Sequence, residues 1–374
     1  MGRAWHSYMI FYFPYMTPPL GETVKLKDPF GSKLRRMGIC TKVEYMKRLG
    51  NVWDEFVSYE NLYKAYKKAR TNKGHRQSVL RFEEDVEGNL KRLQEELKDG
   101  TWHSSDYRFF EIHEYGKTRL IASLPFYPDR IVHWALMNVT HRRFEKNLIR
   151  QTFACTPGRG THNALKYAKE YVSKDDAIYC LKTDMHKCFP SINKYLLMEK
   201  MERIIKDKKL LEMYSRIVYE YPLTGIPIGN YTSQFFANLY LSSIDHQMKE
   251  KYHCKYYLRY MDDIVILGWK KSWMHRVNRK LNNLSATNQM KIKKNWQIFP
   301  IEKRNLDFVG YVLNKDCTLL RKSTKMRMRH RVKNIESMNS HYKGRIASYH
   351  GLLIHCDGYW LHNKYLTRWI QWNI

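Results

Sequence analysis

Apolar residues recur every three to four positions in several long segments of the chain, which is the spacing of an amphipathic helix. The first such segments are WDEFVSYENLYKAYKKAR (53–70) and FEEDVEGNLKRLQEELKDG (82–100), and Gly100 predicts the end of the second helix. Further helices are predicted over residues 128–148, over 193–221 and within 225–252.

Shorter apolar segments predict strands. RFFEIHEYGKTRLIASLPF (108–126) predicts two strands joined at Tyr115–Gly116. AIYCLKTD (177–184) and LRYMDDIVILGW (258–269) are nearly continuous apolar runs, which is typical of strands buried on both faces of a sheet. The alternation of these strands with helices predicts a mixed fold.

Three carboxylates interrupt the apolar runs, because Asp184 ends the first run and Asp262 stands beside Asp263 in the second. A buried, unpaired carboxylate is costly, so either a cation lies there or the pair lies at an exposed turn. Two strands of one sheet can bring all three acids together, and this predicts a site for two magnesium ions. An Asp-Asp pair alone is also ordinary at a hairpin turn.

The charge balance favours a polyanionic partner. The chain of 374 residues has 66 lysines and arginines against 36 acidic residues, a formal net charge of +30. With 43% hydrophobic residues it has enough apolar side chains for a sizeable core, which excludes a disordered basic tail. Nucleic acid is the expected partner of so basic a folded chain, and a basic surface kept for solubility is the alternative.

Basic residues are concentrated near the C-terminus. Between Arg321 and Arg345 nine lysines and arginines accompany a single acid, Glu336. Solvated helix faces normally mix charges of both signs, so this run predicts a helix that contacts phosphates. The residues expected to contact the phosphates are Arg321, Lys322, Lys325, Arg327, Arg329, Arg331 and Lys333.

The seven cysteines are scattered without zinc-binding spacing, which fits a reducing cytosol. The apolar stretch YMIFYFPYM (8–16) is too short to span a bilayer and contains Pro14. We therefore expect a cytoplasmic protein with no membrane segment and no signal peptide.

Motifs in a fixed order resemble those of reverse transcriptases. Tyr260-Met261-Asp262-Asp263 matches their YxDD box, and KTDMHKCFPSI (182–192) resembles their first palm motif. YGKTRLIASLPFYPDRIVHWAL (115–136) resembles the fingers, and LDFVGY (306–311) resembles the primer grip. The resemblance runs from about residue 50 to the end. It implies an α+β right-hand polymerase with fingers, a palm whose antiparallel sheet is backed by helices, and a helical thumb.

The resemblance also implies roles for individual residues. The metal ligands would be Asp184, Asp262, Asp263 and the backbone carbonyl of Met185, holding two Mg²⁺ ions. Phe189 falls at the position of an aromatic steric gate that selects deoxynucleotides, although a core phenylalanine is the alternative. Further implied contacts are Lys117 and Arg119 with the incoming triphosphate, and the primer grip of Phe308, Val309, Gly310 and Tyr311. The phosphates contacted by the basic run would be those of the template and primer.

One loop departs from most reverse transcriptases. Their Gln-Gly…Ser-Pro loop is replaced here by IGNYTSQ, in which the two pairs are Ile228-Gly229 and Ser233-Gln234. By the same resemblance, Ile228, Gly229 and Gln234 are expected to lie at the nucleotide. This loop resembles that of diversity-generating retroelements, as do RYMDDIVILG (259–268), FACTPGRGTH (153–162) and LLRKS (319–323). Isoleucine offers no hydrogen bond to the nucleotide, which loosens discrimination between matched and mismatched pairs. The alternative is that Ile228 simply packs the loop.

Members of that group copy a template-repeat RNA into cDNA with errors at adenines, and the cDNA replaces part of a variable gene. The resemblance therefore implies as partners a template-repeat RNA, an RNA/cDNA primer–template, deoxynucleotides and a small basic oligomeric accessory protein. It also implies a bacterial or phage-infected host. The alternatives are a retron, abortive-infection or intron-derived reverse transcriptase, and a catalytically dead RNA-binding remnant, against which the three intact acids argue.

The expected domains are an N-terminal extension (1–50), fingers (51–176), a palm with interleaved fingers segments (177–312) and a basic helical thumb (313–374). The extension carries turn signals and weak periodicity, so a later start at Met37 or Met46 is an alternative. No proton donor is assigned at Lys293 or Lys294. No nuclease motif follows the primer grip, so target cleavage would need another protein.

Overall fold

The computed structural model describes residues 47–114, 116–333 and 342–367, and the predicted extension falls outside them except for its last four residues. The helices span Trp53–Phe56, Tyr59–Arg70, Gln77–Glu83, Val86–Asp99, Ile131–Glu145, Thr161–Val172, Cys188–Ser191, Lys194–Glu202, Lys208–Tyr219, Ser233–His246, Lys271–Thr287, Lys322–Lys333, Tyr342–Leu353 and Tyr359–Tyr365. One π-helical turn, Gln247–Lys251, follows the helix Ser233–His246, and the segment Phe126–Arg130, which is extended at Tyr127, precedes Ile131–Glu145.

The strands form three antiparallel sheets. They are β1 (Arg108–Glu114), β2 (Lys117–Ser123), β3 (Tyr179–Asp184), β4 (Tyr256–Tyr260), β5 (Asp263–Gly268), β6 (Gln297–Pro300), β7 (Leu306–Phe308), β8 (Tyr311–Leu313) and β9 (Thr318–Leu320). β1 and β2 form a hairpin, the central sheet has the order β4-β5-β3-β6, and β7-β8-β9 form a small third sheet.

The central sheet is buried on both faces, which explains its continuous apolar runs. Along β5, Ile264 and Ile266 pack in one hydrophobic core, while Val265 and Leu267 pack in a second core on the opposite face. The first core contains the helices that back the sheet, and the second contains Thr161–Val172 and the small sheet. The predicted α+β architecture with an antiparallel palm sheet backed by helices is confirmed.

Side-chain caps divide helices that the sequence predicted as continuous. The predicted helix over 193–221 is two helices, because the Asp207 carboxylate accepts a hydrogen bond from Leu210 N (3.3 Å) and so starts a new helix. Ser58 and Asp85 cap helices in the same way and interrupt the two N-terminal predictions. Gly100 ends its helix in the left-handed conformation (φ 71°), as predicted.

The thumb region joins the small sheet to the basic helices. Tyr311 is fully buried and its hydroxyl donates to Leu352 O (3.0 Å), which ties β8 to Tyr342–Leu353. The basic run from Arg321 to Arg345 is shared between two helices, with residues 334–341 outside the described part. β8 continues through the predicted palm–thumb limit at residues 312 and 313, and the domain limits stay predictions. Across the described ranges, no helix is long and apolar enough to cross a membrane.

Candidate active site

The three predicted acids lie at one end of the central sheet. In the register of β3 and β5, Asp184 is opposite Asp263, and Tyr260 of β4 is the partner of Asp263 on the other side. A two-residue turn, Met261–Asp262, therefore connects β4 to β5, and Met261 adopts a positive φ of 54°. Met185 N donates to Asp262 O (3.1 Å), so the residue after Asp184 is bonded directly to this turn.

Burial sets the electrostatics of the adjacent pair. It raises the pKa of Asp263 to about 7, and Asp184 and Asp262 add to the rise while Lys182 opposes it. Burial also raises the pKa of Asp262, with Asp184 adding to the rise and Lys293 and Arg119 opposing it. The site therefore concentrates negative charge that the local structure compensates only in part.

Lysines provide part of the compensation. Lys293 Nζ donates to Asp184 Oδ2 (2.9 Å), and its backbone N–H donates to Asp184 O (2.9 Å). Lys182 Nζ lies 3.9 Å from Asp263 Oδ2. The sequence assigned no role to Lys293. Only the pairing of its segment with the end of β3 brings it to Asp184.

The residues present fit a divalent cation. As the side chains stand, no group of three or more His, Cys, Asp or Glu in the described ranges is close enough to hold an ion, and Lys293 contacts Asp184. The buried Oδ1 of Asp263 accepts no hydrogen bond from any described residue. Carboxylate oxygens are the donors that Mg²⁺ prefers, and Asp263 Oδ1 is an acceptor that no described residue uses. The residues that would hold it are Asp184, Asp262 and Asp263, with the Met185 carbonyl as the further predicted ligand.

Apparent Mg²⁺ affinity is expected to fall as the pH falls through 7. Below a pKa of about 7 the Asp263 carboxyl holds a proton that a cation must displace. Competition with one proton predicts a roughly tenfold rise in the half-saturating Mg²⁺ concentration between about pH 8 and pH 6. Titration of Mg²⁺ against the unfolding temperature at both pH values measures it, and identical curves would contradict it.

Asp263→Asn tests the raised pKa of this carboxyl separately, in the absence of divalent cations. A carboxyl whose pKa is raised on folding destabilises the folded state above its unfolded pKa, and the penalty is complete above about pH 7. The rise from 3.8 to about 7 bounds this penalty at roughly 4 kcal/mol. Without divalent cations, Asp263→Asn should therefore unfold at a higher temperature than the parent at pH 8, with a smaller difference at pH 5.

The predicted nucleotide loop lies along the edge of the fingers hairpin. Ala122 N of β2 donates to Ile228 O (2.9 Å), so the loop extends the hairpin by one backbone bond. Gly229 has a φ of 137°, and a Cβ there would lie 2.3 Å from Ala122 O. Only glycine allows this close approach. The Ile228 side chain is half-buried beside this contact.

Aromatic and polar contacts that the sequence did not predict hold the rest of this loop. Tyr231 stacks on Trp134 with ring centroids 3.8 Å apart. Asn230 Nδ2 donates to Tyr107 OH (2.8 Å). Exposed Gln234, in the first turn of its helix, accepts from Cys155 Sγ (2.7 Å). Contacts with Trp134, Tyr107 and Cys155 therefore hold this loop in position.

Phe189 lies next to the same loop. Its side chain is half-buried against the first core, and its carbonyl accepts from Ile226 N (3.1 Å), two residues before Ile228. Lys117 and Arg119 are exposed on β2, and Arg119 is near enough to Asp262 to lower the pKa of that carboxyl. The fingers strand β2 is thus bonded to the loop through Ala122 and interacts with the acids through Arg119.

The predicted primer grip is the β7–β8 turn. Phe308 and Tyr311 are fully buried, while Val309 and Gly310 form the half-exposed tip with φ values of 44° and 93°. Asp307 was not predicted but connects this turn to the acids. Its carbonyl accepts from Lys182 Nζ, and its carboxylate accepts from Arg321 Nε (2.8 Å).

The other predicted template–primer residues lie on the thumb helix Lys322–Lys333, which is anchored by buried Met328 and Val332. Its lysines and arginines are all exposed, namely Lys322, Lys325, Arg327, Arg329, Arg331 and Lys333. Arg321 differs from them, because its ion pair with Asp307 engages it in the primer-grip turn. Arg327, Arg331 and Arg345 line an open groove of about 470 Å³ between the two basic helices.

A second basic cavity, which the sequence analysis missed, lies in the fingers. Its volume is about 450 Å³, and Lys73, Arg76, Arg108 and Arg130 line it. Burial lowers the pKa of Lys73, and the charges of Arg130 and Arg76 lower it further. These cations are widely separated in the sequence, so no local charge run indicated the cavity.

Comparisons with known proteins identify the kind of fold that surrounds this site. A family model described as reverse transcriptase (RNA-dependent DNA polymerase) matches residues 106–313. Nuclear intron maturase 4, mitochondrial, of Arabidopsis thaliana is 26% identical over 165 residues, which cover 41% of this chain and 20% of that protein. The chain thus spans about a fifth of the length of this curated relative.

Two solved structures are also similar. Apo telomerase from Candida tropicalis is 14% identical with a TM-score of 0.45, over 57% of this chain and 48% of that one. Telomerase from Candida albicans in complex with a fragment of telomeric RNA is 12% identical with a TM-score of 0.45, over 58% and 45%.

Proposed function

This chain belongs to the reverse transcriptase family, and from that premise we propose that it extends a primer by RNA-directed DNA synthesis. The observation that carries the proposal is the position of Asp184, Asp262 and Asp263 at one end of the central sheet, near Arg119 of the fingers strand. Family membership names the chemistry, and this geometry supports the proposed assignment of these residues to it.

The reaction is the attack of the primer 3′-hydroxyl on the α-phosphate of a deoxynucleotide, with pyrophosphate leaving. Bound Mg²⁺ would supply charge neutralisation of the attacking and leaving oxygens. The chain supplies the remaining elements. Its carboxylates would hold the Mg²⁺ ions in place. Lys117 and Arg119 bind the triphosphate, and the Val309–Gly310 turn supports the primer end. Orientation by such fixed groups accelerates transfer without covalent catalysis.

The proposed role is that of a diversity-generating retroelement reverse transcriptase, which copies a template-repeat RNA with errors at adenines. Its support is the loop Ile228–Gln234, whose backbone is fixed while its half-buried isoleucine presents no hydrogen-bonding group. The proposed partners are the template-repeat RNA, the primer–template and a small basic accessory protein. The proposed location is the cytoplasm of a bacterium.

An intron-derived reverse transcriptase is the second candidate role. The similarity to a plant nuclear intron maturase favours it. The two roles differ in fidelity, since only the first requires frequent errors at template adenines.

Ile228→Gln tests the first role. The parent should misincorporate most often opposite template adenine, and the variant should do so roughly two- to tenfold less. The new amide can form one hydrogen bond, worth about 0.5–1.5 kcal/mol net, that favours a correctly placed nucleotide. Sequencing of cDNA made by both proteins on one RNA template measures the rates.

Ile228→Leu is the matched control, because it keeps an apolar side chain of the same volume and should retain the parent's adenine errors. Equal error rates for parent and Ile228→Gln would mean that the loop does not set fidelity. A parent that is faithful at adenine would reject the retroelement role and favour the intron-derived one.

A further inference from the structure

One buried arginine holds the turn that carries Asp262. The Arg259 side chain is 1% exposed, although it lies on β4 only three residues before Asp262. Its Nη1 donates to Met261 O (2.9 Å), the carbonyl at the centre of the turn. The same nitrogen donates to Asn238 Oδ1 (3.0 Å), and Nη2 lies 3.4 Å from Asn238 O.

Asp245 completes the set of acceptors. Arg259 Nε donates to Asp245 Oδ1 (2.7 Å) and Nη2 donates to Oδ2 (2.6 Å), with the Asp245 side chain fully buried. Asp245 also accepts from Tyr257 OH (2.6 Å) and Thr152 Oγ1 (3.1 Å). Every N–H of the guanidinium thus has an acceptor in one fixed geometry.

Two of the three residues that accept from Arg259, Asn238 and Asp245, lie on the helix Ser233–His246, which begins where the nucleotide loop ends. Gln234 is in the first turn of this helix, Asn238 in the second and Asp245 near its end. A rigid helix therefore joins the loop at Ile228 to the turn at Met261 through one guanidinium. The distance between the nucleotide loop and the acids depends on this connection.

Stability alone does not explain such an arrangement. Replacement of a buried ion pair by well-packed apolar residues of similar volume is often neutral or stabilising, so a buried pair is weak evidence of a role in stability. The geometry fixed here is that of a turn with an unfavourable backbone conformation, since Met261 is not glycine and has a φ of 54°.

We propose that Arg259, held by Asp245 and Asn238, is a positioning residue that sets the orientation of the Met261–Asp262 turn and thereby the affinity of the acids for divalent cations. The inference rests on the proposed function in one respect, namely that Asp262 is a cation ligand. Arg259 itself touches neither substrate nor cation in this proposal.

Mn²⁺ binding followed by electron paramagnetic resonance tests the proposal without a measurement of catalysis. Arg259→Lys keeps the charge beside Asp245 but replaces five donors in a fixed fork with three on a single nitrogen. Asn238→Ala removes one acceptor of Nη1 and leaves the ion pair. Both variants should raise the Mn²⁺ dissociation constant by about tenfold or more. In primer extension, kcat should fall while KM for the primer–template stays within twofold.

Asn61→Ala is the matched control. Asn61 is a buried asparagine whose Nδ2 bonds Phe56 O (2.9 Å) and Ala135 O (3.2 Å) in the fingers core. It should lower the unfolding temperature as Asn238→Ala does, yet bind Mn²⁺ as the parent does. If Arg259→Lys does not fold, Asn238→Ala decides.

Parent-like Mn²⁺ affinity in a folded Asn238→Ala would overturn the proposal, and so would parent-like Mn²⁺ binding by Asp262→Asn. A parent that binds Mn²⁺ through Asp262 but extends no primer would instead reject the proposed function. In that case weakened Mn²⁺ binding by Asn238→Ala would still support the role of Arg259.

Discussion

Asp262→Asn is expected to reduce primer extension on an RNA template by about a thousandfold or more, and Asp184→Asn by a similar factor. Divalent cations contribute several kcal/mol of charge stabilisation to phosphoryl transfer, and roughly 4 kcal/mol corresponds to a thousandfold. Asparagine keeps the shape of the side chain but removes the charge that holds the cation. Extension of a labelled primer with deoxynucleotides and Mg²⁺ measures the effect.

The same substitutions should leave the fold intact. Burial raises the pKa of Asp262, so its charge is unfavourable to the folded state, and Asp262→Asn should not lower the unfolding temperature at pH 8. Asp176→Asn is the matched control, since Asp176 bonds Tyr256 OH and Lys255 near the opposite end of the same sheet. It should stay within about twofold of the parent. Extension within tenfold of the parent by either active-site variant would remove the metal assignment.

Phe189→Ala is expected to lower discrimination against ribonucleotides by roughly 10- to 200-fold, the range that one or a few apolar groups contribute to selectivity. The ring is half-buried beside the nucleotide loop, and the bond from Ile226 N to its carbonyl fixes its backbone. Removal of the ring leaves space for a 2′-hydroxyl. The ratio of kcat/KM for a deoxynucleotide to that for the matching ribonucleotide measures the change.

Phe189→Tyr is the control for this change, because it keeps the ring and should keep the parent's ratio. An active Phe189→Ala protein with the parent's ratio would assign Phe189 to the core. A loss of activity for both nucleotides, with a lower unfolding temperature, would indicate that the ring mainly packs the first core. The control and the melting curve separate these outcomes.

Local patterning predicted the strands β1 to β5 and the location of the acids, whereas the short strands β6 to β9 were not predicted. An apolar run such as 177–184 has few alternatives to a strand buried on both faces, and the residues at its end are then known. The motif order gave the polymerase architecture in the same way. These features depend on residues adjacent in the chain, so local patterning contains them.

Helix limits were predicted less well, because a single cap outweighs periodicity. Asp207 divides the helical pattern over 193–221, and the amphipathic spacing on either side of it gives no sign of the break. Aspartate and serine are preferred N-cap residues, so Asp207, Ser58 and Asp85 were themselves the signals in the sequence for these helix starts.

Only the tertiary structure decided which distant residues support the acids. Lys293 reaches Asp184 across 109 positions of sequence, and Lys182 reaches Asp307 across 125. Asp245 and Arg259 read as ordinary charged residues until the packing of a helix on the sheet places them in one buried ion pair. Side-chain contacts of this kind depend on the registers of separate elements, which no local pattern encodes. The sequence therefore identified the acids, and the packing of the elements determined what holds them in position.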